Sequence, residues 1–514
     1  MPNAINASDI TIKESQCIVD ALPPELLWKI FVINTERYIP YNVFGLHFNE
    51  PDSRLDTARS CSQVCRLWRT LLLQSPSVWG RLLHIQSFER TAEEWREAVI
   101  SRVGDAPLWI IGRVSSSTRP YILSILQSKW ENVQVLVVKD RDLYDGKVLP
   151  AWSFLEREAP TLEVFKLWID SFYMDAQHIL PFSPLFRNAA PRLKSFITSI
   201  PFQLALPTPW LVNLHSVTFN RLQSVPTILS ALKSTPHLEH LYISGDATQD
   251  PNHAQDGDVS KPHLPLLESL IINGLERNPE DLGLLLESIS LAPRQHALRR
   301  LCISQAEAIS LEPYQQRLQR SITKWIHAYM EASSPHYLIL WGHSESHLYL
   351  TMRPTQHDVA EEMDVGLTLD SHSYLTIKNI AQSSQFRAVE TLYAFLRPSH
   401  WPLRPLYDAL QFITHLTACG PDIRALFHDM LQFSLFPHLC TINLQGGHLQ
   451  DDSDSELLES TMSKVMDFLE YRASIGSPIS ALELSPARVK FVSEMNEERL
   501  ERIPGLTVMF KEDD

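Results

Sequence analysis

Apolar positions follow two rhythms along the chain. Near the start, Leu22, Leu26, Leu27, Ile30 and Phe31 recur at helical spacing. Pro23 and Pro24 stand where a first turn has no backbone hydrogen bonds to lose, and Glu25 lies near the positive end of the dipole. A second stripe of Val64, Leu67, Trp68, Leu71 and Leu72 predicts another helix, and Ser77, Val78 and Trp79 close the segment. Residues 34–56 between them, broken by Pro40, Gly45 and Pro51, show no clear period despite Tyr38, Tyr41, Phe44 and Phe48. They read as an inserted loop. Residues 1–17 read as a loose leader.

After Trp79 short strands and helices alternate. Residues 90–102 predict a helix with Trp95, Ala98 and Val99 on one face, ended by Asp105, Ala106 and Pro107. Residues 108–111 and 133–138 predict strands on either side of a helix over 121–129. A frame of Leu-x-x-Leu-x-Leu type then begins at Leu162, Leu193, Leu214, Leu238, Leu267 and Leu298, with spacings of 31, 21, 24, 29 and 31 residues. It returns at Val389, Ile413, Leu439 and Ile479. A fixed frame at this period marks a leucine-rich-repeat solenoid, because each unit's apolar strand edge is covered only by the next unit.

Residues 305–388 interrupt the frame. Leu318, Ile322, Trp325, Ile326 and Tyr329 predict a long helix there, followed by strands over 337–341 and 347–351 with a turn at 342–346. Residues 244–263 read as a polar loop. The acidic run at 450–459 leads into an amphipathic helix through Met466, Phe468 and Leu469. The predicted class is α/β: a small helical head over 18–83 with its insertion at 34–56, then an irregular solenoid over 84–514.

Strand alternation selects a candidate surface. With the framed leucines turned inward, their neighbours line a concave wall: Lys166, Trp168, Asn220, His240, Tyr242, Asn273, Arg300, Asn443 and Glu483. The mixture of polar and aromatic side chains suits recognition of a protein target.

Composition narrows the function further. With 45 basic and 60 acidic residues the formal charge is −15, and no basic stripe interrupts that field, which argues against nucleic acid. No apolar run approaches the roughly 20 residues of a membrane span. Asp9, Lys13 and Glu14 do not form a signal peptide, and six cysteines without a Cys-x-x-Cys pair fit a reducing compartment, cytosol or nucleus.

Candidate chemistry is sparse. His343 and His347, near His336 and His357, have i, i+4 spacing but span a predicted turn and lack the flanking Glu of a zinc-protease helix. Cys61 and Cys65 read as small buried hydrophobes. Phosphate-cradling loops and nucleophile elbows are missing. No metal, cofactor or catalytic constellation is assigned, and the expectation is a protein that is not an enzyme.

The opening segment resembles an F-box. The likeness rests on Leu22-Pro23-Pro24-Glu25-Leu26-Leu27, Ile30-Phe31, Val64-Cys65-Arg66, Trp68-Arg69 and Val78-Trp79, over roughly residues 20–83. The strand start at Asp105-Ala106-Pro107-Leu108 and the irregular repeats are similar to the large F-box families of mushroom-forming fungi. The resemblance implies a three-helix F-box docked on a Skp-type adaptor. That adaptor joins cullin and RING subunits, while the repeats select a protein for ubiquitination. It places Leu22, Pro23, Leu26, Leu27, Ile30, Val64, Cys65, Trp68 and Trp79 at or directly behind the adaptor interface. The 34–56 insertion departs from the family pattern. Two other readings fit the same residues: an interaction scaffold without a ubiquitination role, and a hydrolase or metal enzyme built on His343 and His347.

Overall fold

The computed structural model describes residues 22–35, 54–89, 91–140, 152–169, 184–200, 202–204, 206–220, 223–244, 261–273, 279–291, 300–304, 312–344, 347–353, 365–369, 374–395, 403–419, 423–445, 455–485 and 494–510. The leader, most of the 34–56 insertion, most of the 244–263 loop and the start of the acidic run lie outside these residues. The chain divides into two compact units, residues 1–176 with 190–192 and residues 177–189 with 193–514.

The first unit opens with four helical segments: α1 (Pro24–Thr35), α2 (Arg54–Val64), α3 (Arg66–Leu73) and α4 (Pro76–Gly80). Asn34 and Thr35 thus end α1, and Arg54, Leu55 and Asp56 begin α2, so the unpatterned stretch is shorter than its sequence implies. The helix α2 escapes a periodicity reading because only Leu55 and Ala58 bury in it. Cys65 separates α2 from α3: its backbone is extended, and its sulfur accepts the Trp68 amide at 3.4 Å as an N-cap.

Behind the helices come β1 (Leu83–His84), α5 (Ile85–Glu89), α6 (Glu93–Val103), β2 (Leu108–Val114), α7 (Arg119–Lys129), β3 (Val133–Asp140) and β4 (Val164–Ile169). The four strands pair in parallel, with Ile110 beside Leu136 and Leu136 beside Phe165. Strand–helix–strand connections bury the strands on both faces. A Cβ on Gly80 would collide with the Pro107 carbonyl, so only glycine lets α4 approach the start of β2.

In the second unit β5 (Ser195–Thr198), β6 (Ser216–Phe219), β7 (His240–Ser244), β9 (Ser269–Asn273) and β11 (Arg300–Ser304) pair in parallel, with α8 (Val225–Leu232) between β6 and β7. A two-stranded pair, β8 (His263–Leu264) and β10 (Ser290–Leu291), stands apart. The interruption keeps the ladder. The strand β11 pairs in parallel with β14 (Val365–Leu369), which runs antiparallel to β13 (His347–Arg353), itself antiparallel to β12 (Tyr337–Ser344). Parallel pairing resumes from β12 through β15 (Thr391–Phe395), β16 (His415–Cys419), β17 (Thr441–Gln445), β18 (Ala481–Leu484) and β19 (Thr507–Phe510). Helices α9 (Pro279–Ser288), α10 (Glu312–Ser333), α11 (Tyr374–Ile380), α12 (Arg404–Ala409), α13 (Ile423–Phe433), α14 (Ser455–Ser474) and α15 (Glu494–Glu501) fill the connections. The long α10 is anchored to α9 by Trp325 Nε1, which donates to the Leu286 carbonyl at 2.9 Å, and by Arg317 on Glu287 at 2.6 Å.

The leucine frame accounts for the core. Leu238, Leu241 and Ile243; Leu267, Leu270 and Ile272; Ile413, Leu416 and Ala418; and Ile479, Leu482 and Leu484 are all at most 3% exposed. A backbone rung repeats beside them. The amide of Glu268 donates to the Glu239 carbonyl, Cys440 to Thr414, Ser480 to Cys440 and Thr507 to Ser480, at 2.8 to 3.0 Å. Each strand start is thereby registered on the one before it. Arg472 adds a clamp: buried in α14, it donates to the carbonyls of Phe436, Pro437, Leu439 and Ser477 at 2.8 to 3.1 Å.

Candidate functional site

Two surfaces stand out, one in each unit. In the helical head, α1 turns Leu27 and Phe31 inward and leaves Leu26 48% and Ile30 41% exposed, together with Trp28 and Ile33. Leu26, Ile30 and Ile33 share one face at i, i+4, i+7. Val64 at the end of α2 and Leu67 and Leu73 on α3 are exposed as well. Seven of the seventeen exposed large hydrophobic side chains among the described residues therefore fall between Leu26 and Leu73. Such a concentration is costly in water and marks an interaction surface.

The support beneath is packed by aromatic side chains. Phe31 and Trp68 meet edge to face with ring centroids 5.1 Å apart, leaving Trp68 half-buried. Trp79 is buried, donates from Nε1 to the Leu72 carbonyl at 2.7 Å, and carries the Arg102 guanidinium 4.8 Å above its ring. Of the residues predicted for adaptor contact, Pro23, Leu26, Ile30 and Val64 are exposed, Leu22, Cys65 and Trp68 are half-buried, and Leu27 and Trp79 lie inside. Sequence reasoning missed Trp28, Ile33, Leu67 and Leu73. The helical wheel of α1 held the signal for Ile33, which continues the Leu26, Ile30 series. The burial state of the other three has no sequence signature.

The strand surface is divided. In the first unit, Ile111, Val135, Val137 and Val164 form a buried cluster against which Trp109 and Trp168 pack. Lys166, aligned with Val137, is fully buried, and burial pushes its ammonium down to about 7. Lys166 and Trp168 thus belong to a packed apolar face instead of a polar wall. Asn220 is also buried, donating from Nδ2 to the Ile200 carbonyl at 2.7 Å, and it shapes the turn after β6 through Gln223, whose Oε1 accepts the Asn220 amide at 2.9 Å.

The remaining predicted wall residues stay on the accessible side of the second unit. His240 and Arg300 flank Ser269 in one register row. Tyr242 accepts from Asn273 Nδ2 at 3.3 Å, and burial raises its hydroxyl pKa. Asn443 Nδ2 donates to Glu483 Oε2 at 2.9 Å. These pairs lie on different strand groups. The alternation of β15 and β16 adds Thr391, Tyr393, His415 and Thr417 to the same face, and the hairpin strand β12 adds Tyr337, which no frame anticipates.

His343 and His347 lie on the two antiparallel strands of a hairpin, with Ser344 opposite His347, so they do not share a helix face. Cys61 and Cys65 are free and half-buried, and burial raises the Cys61 thiol pKa. Among the described residues, no group of three or more metal-ligating side chains converges, and no helix is long and apolar enough to cross a membrane.

Residues 19–84 match the family model described as F-box-like. The chain therefore carries an F-box-like domain, the class of module that binds Skp-type adaptors, followed by a mainly parallel α/β sheet. No curated protein matches the sequence.

Proposed function

We propose that this chain is the substrate-recognition subunit of a Skp-cullin-RING ubiquitin ligase. The observation that carries the reading is the coincidence of the F-box-like match with the exposed Leu26, Trp28, Ile30, Ile33, Val64, Leu67 and Leu73. A partner interface of about 1,600 Å² covers a surface of that kind. Leu22, Pro23, Leu26, Ile30, Val64, Cys65 and Trp68 make contact in this reading, and Leu27 and Trp79 hold the helices behind them. The second unit acts as an irregular leucine-rich-repeat solenoid whose polar strand face binds a target in the cytosol or nucleus. The chain does no covalent chemistry. It holds the target beside a ubiquitin-charged enzyme carried by the cullin and RING subunits, so the rate gain is one of proximity.

The test is capture of a purified Skp-type adaptor. The Leu26→Asp, Ile30→Asp double variant changes only exposed positions, so its thermal unfolding should match that of the parent chain while adaptor affinity falls at least about 100-fold. Undiminished adaptor binding by the folded double variant would sink the proposal.

A further inference from the structure

We infer that Arg59, Arg66 and Arg69 form a basic rim on the docking face of the helical head and are met there by carboxylates of the Skp-type adaptor, whose approach they steer. The inference rests on the receptor reading above. From Thr57 to Phe88 the chain contains four arginines and no aspartate or glutamate, although its formal charge is −15. Arg59 on α2 and Arg66 and Arg69 on α3 are exposed. Among the described residues none of the three makes an ion pair.

These arginines adjoin the apolar patch. Arg66 stands between exposed Val64 and Leu67 in the chain, and it shares a helix face with Arg69 and exposed Leu73 at i, i+3, i+7. Arg69 reaches back to α2, where its Nε donates to the Ser62 carbonyl at 3.0 Å. Ser62 Oγ in turn donates to the Arg59 carbonyl at 2.6 Å, so Ser62 ties Arg69 to the turn that carries Arg59. Arg69 uses one of its five donors there, and the others can fork onto a carboxylate.

Complementarity decides the occupant. A small anion would gain nothing from Val64, Leu67 and Leu73. A duplex-binding surface makes about 6–10 phosphate contacts, more than three arginines supply. A two-fold dimer through this face would set arginines against their own copies, like charge against like. A protein surface with apolar side chains edged by aspartate and glutamate matches both halves of the patch, and the F-box-like match over residues 19–84 supplies that partner, the adaptor. Exposed rim charges act mainly on the association rate, since attraction across solvent steers encounter while a docked surface ion pair adds little.

The test is stopped-flow association of the full chain with a purified Skp-type adaptor, at ionic strengths of about 0.01 M and about 0.15 M. The parent is compared with an Arg59→Glu, Arg66→Glu double variant, which changes exposed positions and leaves the Arg69–Ser62 bond in place. At the lower strength the parent should associate at least about tenfold faster than the variant, and this advantage should shrink at least about threefold at the higher strength, where the Debye length is about 8 Å instead of about 30 Å. Dissociation rates should agree within about threefold. Comparing the two chains cancels the field of the remaining residues. The Arg59→Gln, Arg66→Gln variant should fall between them, and it keeps the comparison valid should the glutamate variant unfold early. An advantage that ignores salt overturns the rim, as does a loss confined to dissociation, which would give the arginines a packing role. Sedimentation showing a parental dimer that the glutamate substitutions disrupt would assign the face to a second copy and overturn it as well. No adaptor binding by the folded parent sinks the receptor reading together with the rim, whereas adaptor binding with equal association rates sinks the rim alone.

Discussion

The strands β2, β3 and β4 of the first unit and β15, β17 and β18 of the second obey one alternation rule and end differently. In the first unit, Ile111, Val135, Val137, Val164 and Lys166, at alternate positions of β2, β3 and β4, are buried, with Trp109, Arg113, Lys139 and Trp168 partly open at the ends of the same face. In the second unit, the equivalent positions on β15, β17 and β18 are Thr391, Tyr393, Thr441, Asn443 and Glu483, and all stay partly open. The difference is written in side-chain chemistry. Valine and isoleucine on both faces demand cover on both, whereas threonine, tyrosine, asparagine and glutamate on one face can remain solvated. The lesson is that alternation tells which residues share a face and not whether that face is free.

Val137→Asp puts an unpaired charge into the closed face and should cost about 4 kcal/mol in urea unfolding, while Thr441→Asp on the open face should cost less than about 1 kcal/mol. Equal losses would mean that the two faces are equally packed. The open face also depends on fixed strand spacing, which Arg472 maintains through its four carbonyl contacts. Arg472→Met should destabilise the fold by about 3 kcal/mol, because those carbonyls lose charge-assisted donors inside the protein. A loss below half of that would show that water replaces the guanidinium.

Burial holds Lys166 at about 7, below the 10.5 of an exposed lysine. Between these values the unfolded chain binds the proton and the native chain does not, so stability rises with pH across that window. Below about 7 both states are protonated and the full cost of burying the charge is present. The rise should be about 1 kcal/mol between pH 8 and pH 9 and should be missing from the stability curve of Lys166→Met. A lysine held in an open polar face would leave no such slope.

Much of this was legible in the chain. Leu27 and Phe31 are inward and Leu26 and Ile30 outward because one helix cannot hide all four on a single side. Among the described residues, framed positions such as Leu162, Leu193, Leu214, Leu238, Leu267, Ile413, Leu439 and Ile479 are buried, as stacked strands require. Other features had no local signal. Cys65 breaks what looks like one continuous stripe, since its own extended backbone separates the helices and lets its thiol cap α3. Lys166 and Asn220 sit at outward-reading positions, yet both are buried. Tyr337 joins the open strand face because β12 arrives through an antiparallel hairpin, in a region where the frame is interrupted.

The helical head, the strand–helix alternation and the identity of the core positions follow from periodicity within a few neighbouring residues and are therefore local properties of the chain. Only the tertiary structure decided which surfaces remain open. It covered the valine-rich face around Lys166, left Leu26, Ile30 and Leu67 in solvent, and brought Glu390, Tyr393, Asn443 and Glu483 around one cleft. Burial and convergence are set by contacts between residues dozens of positions apart, and no local pattern encodes them.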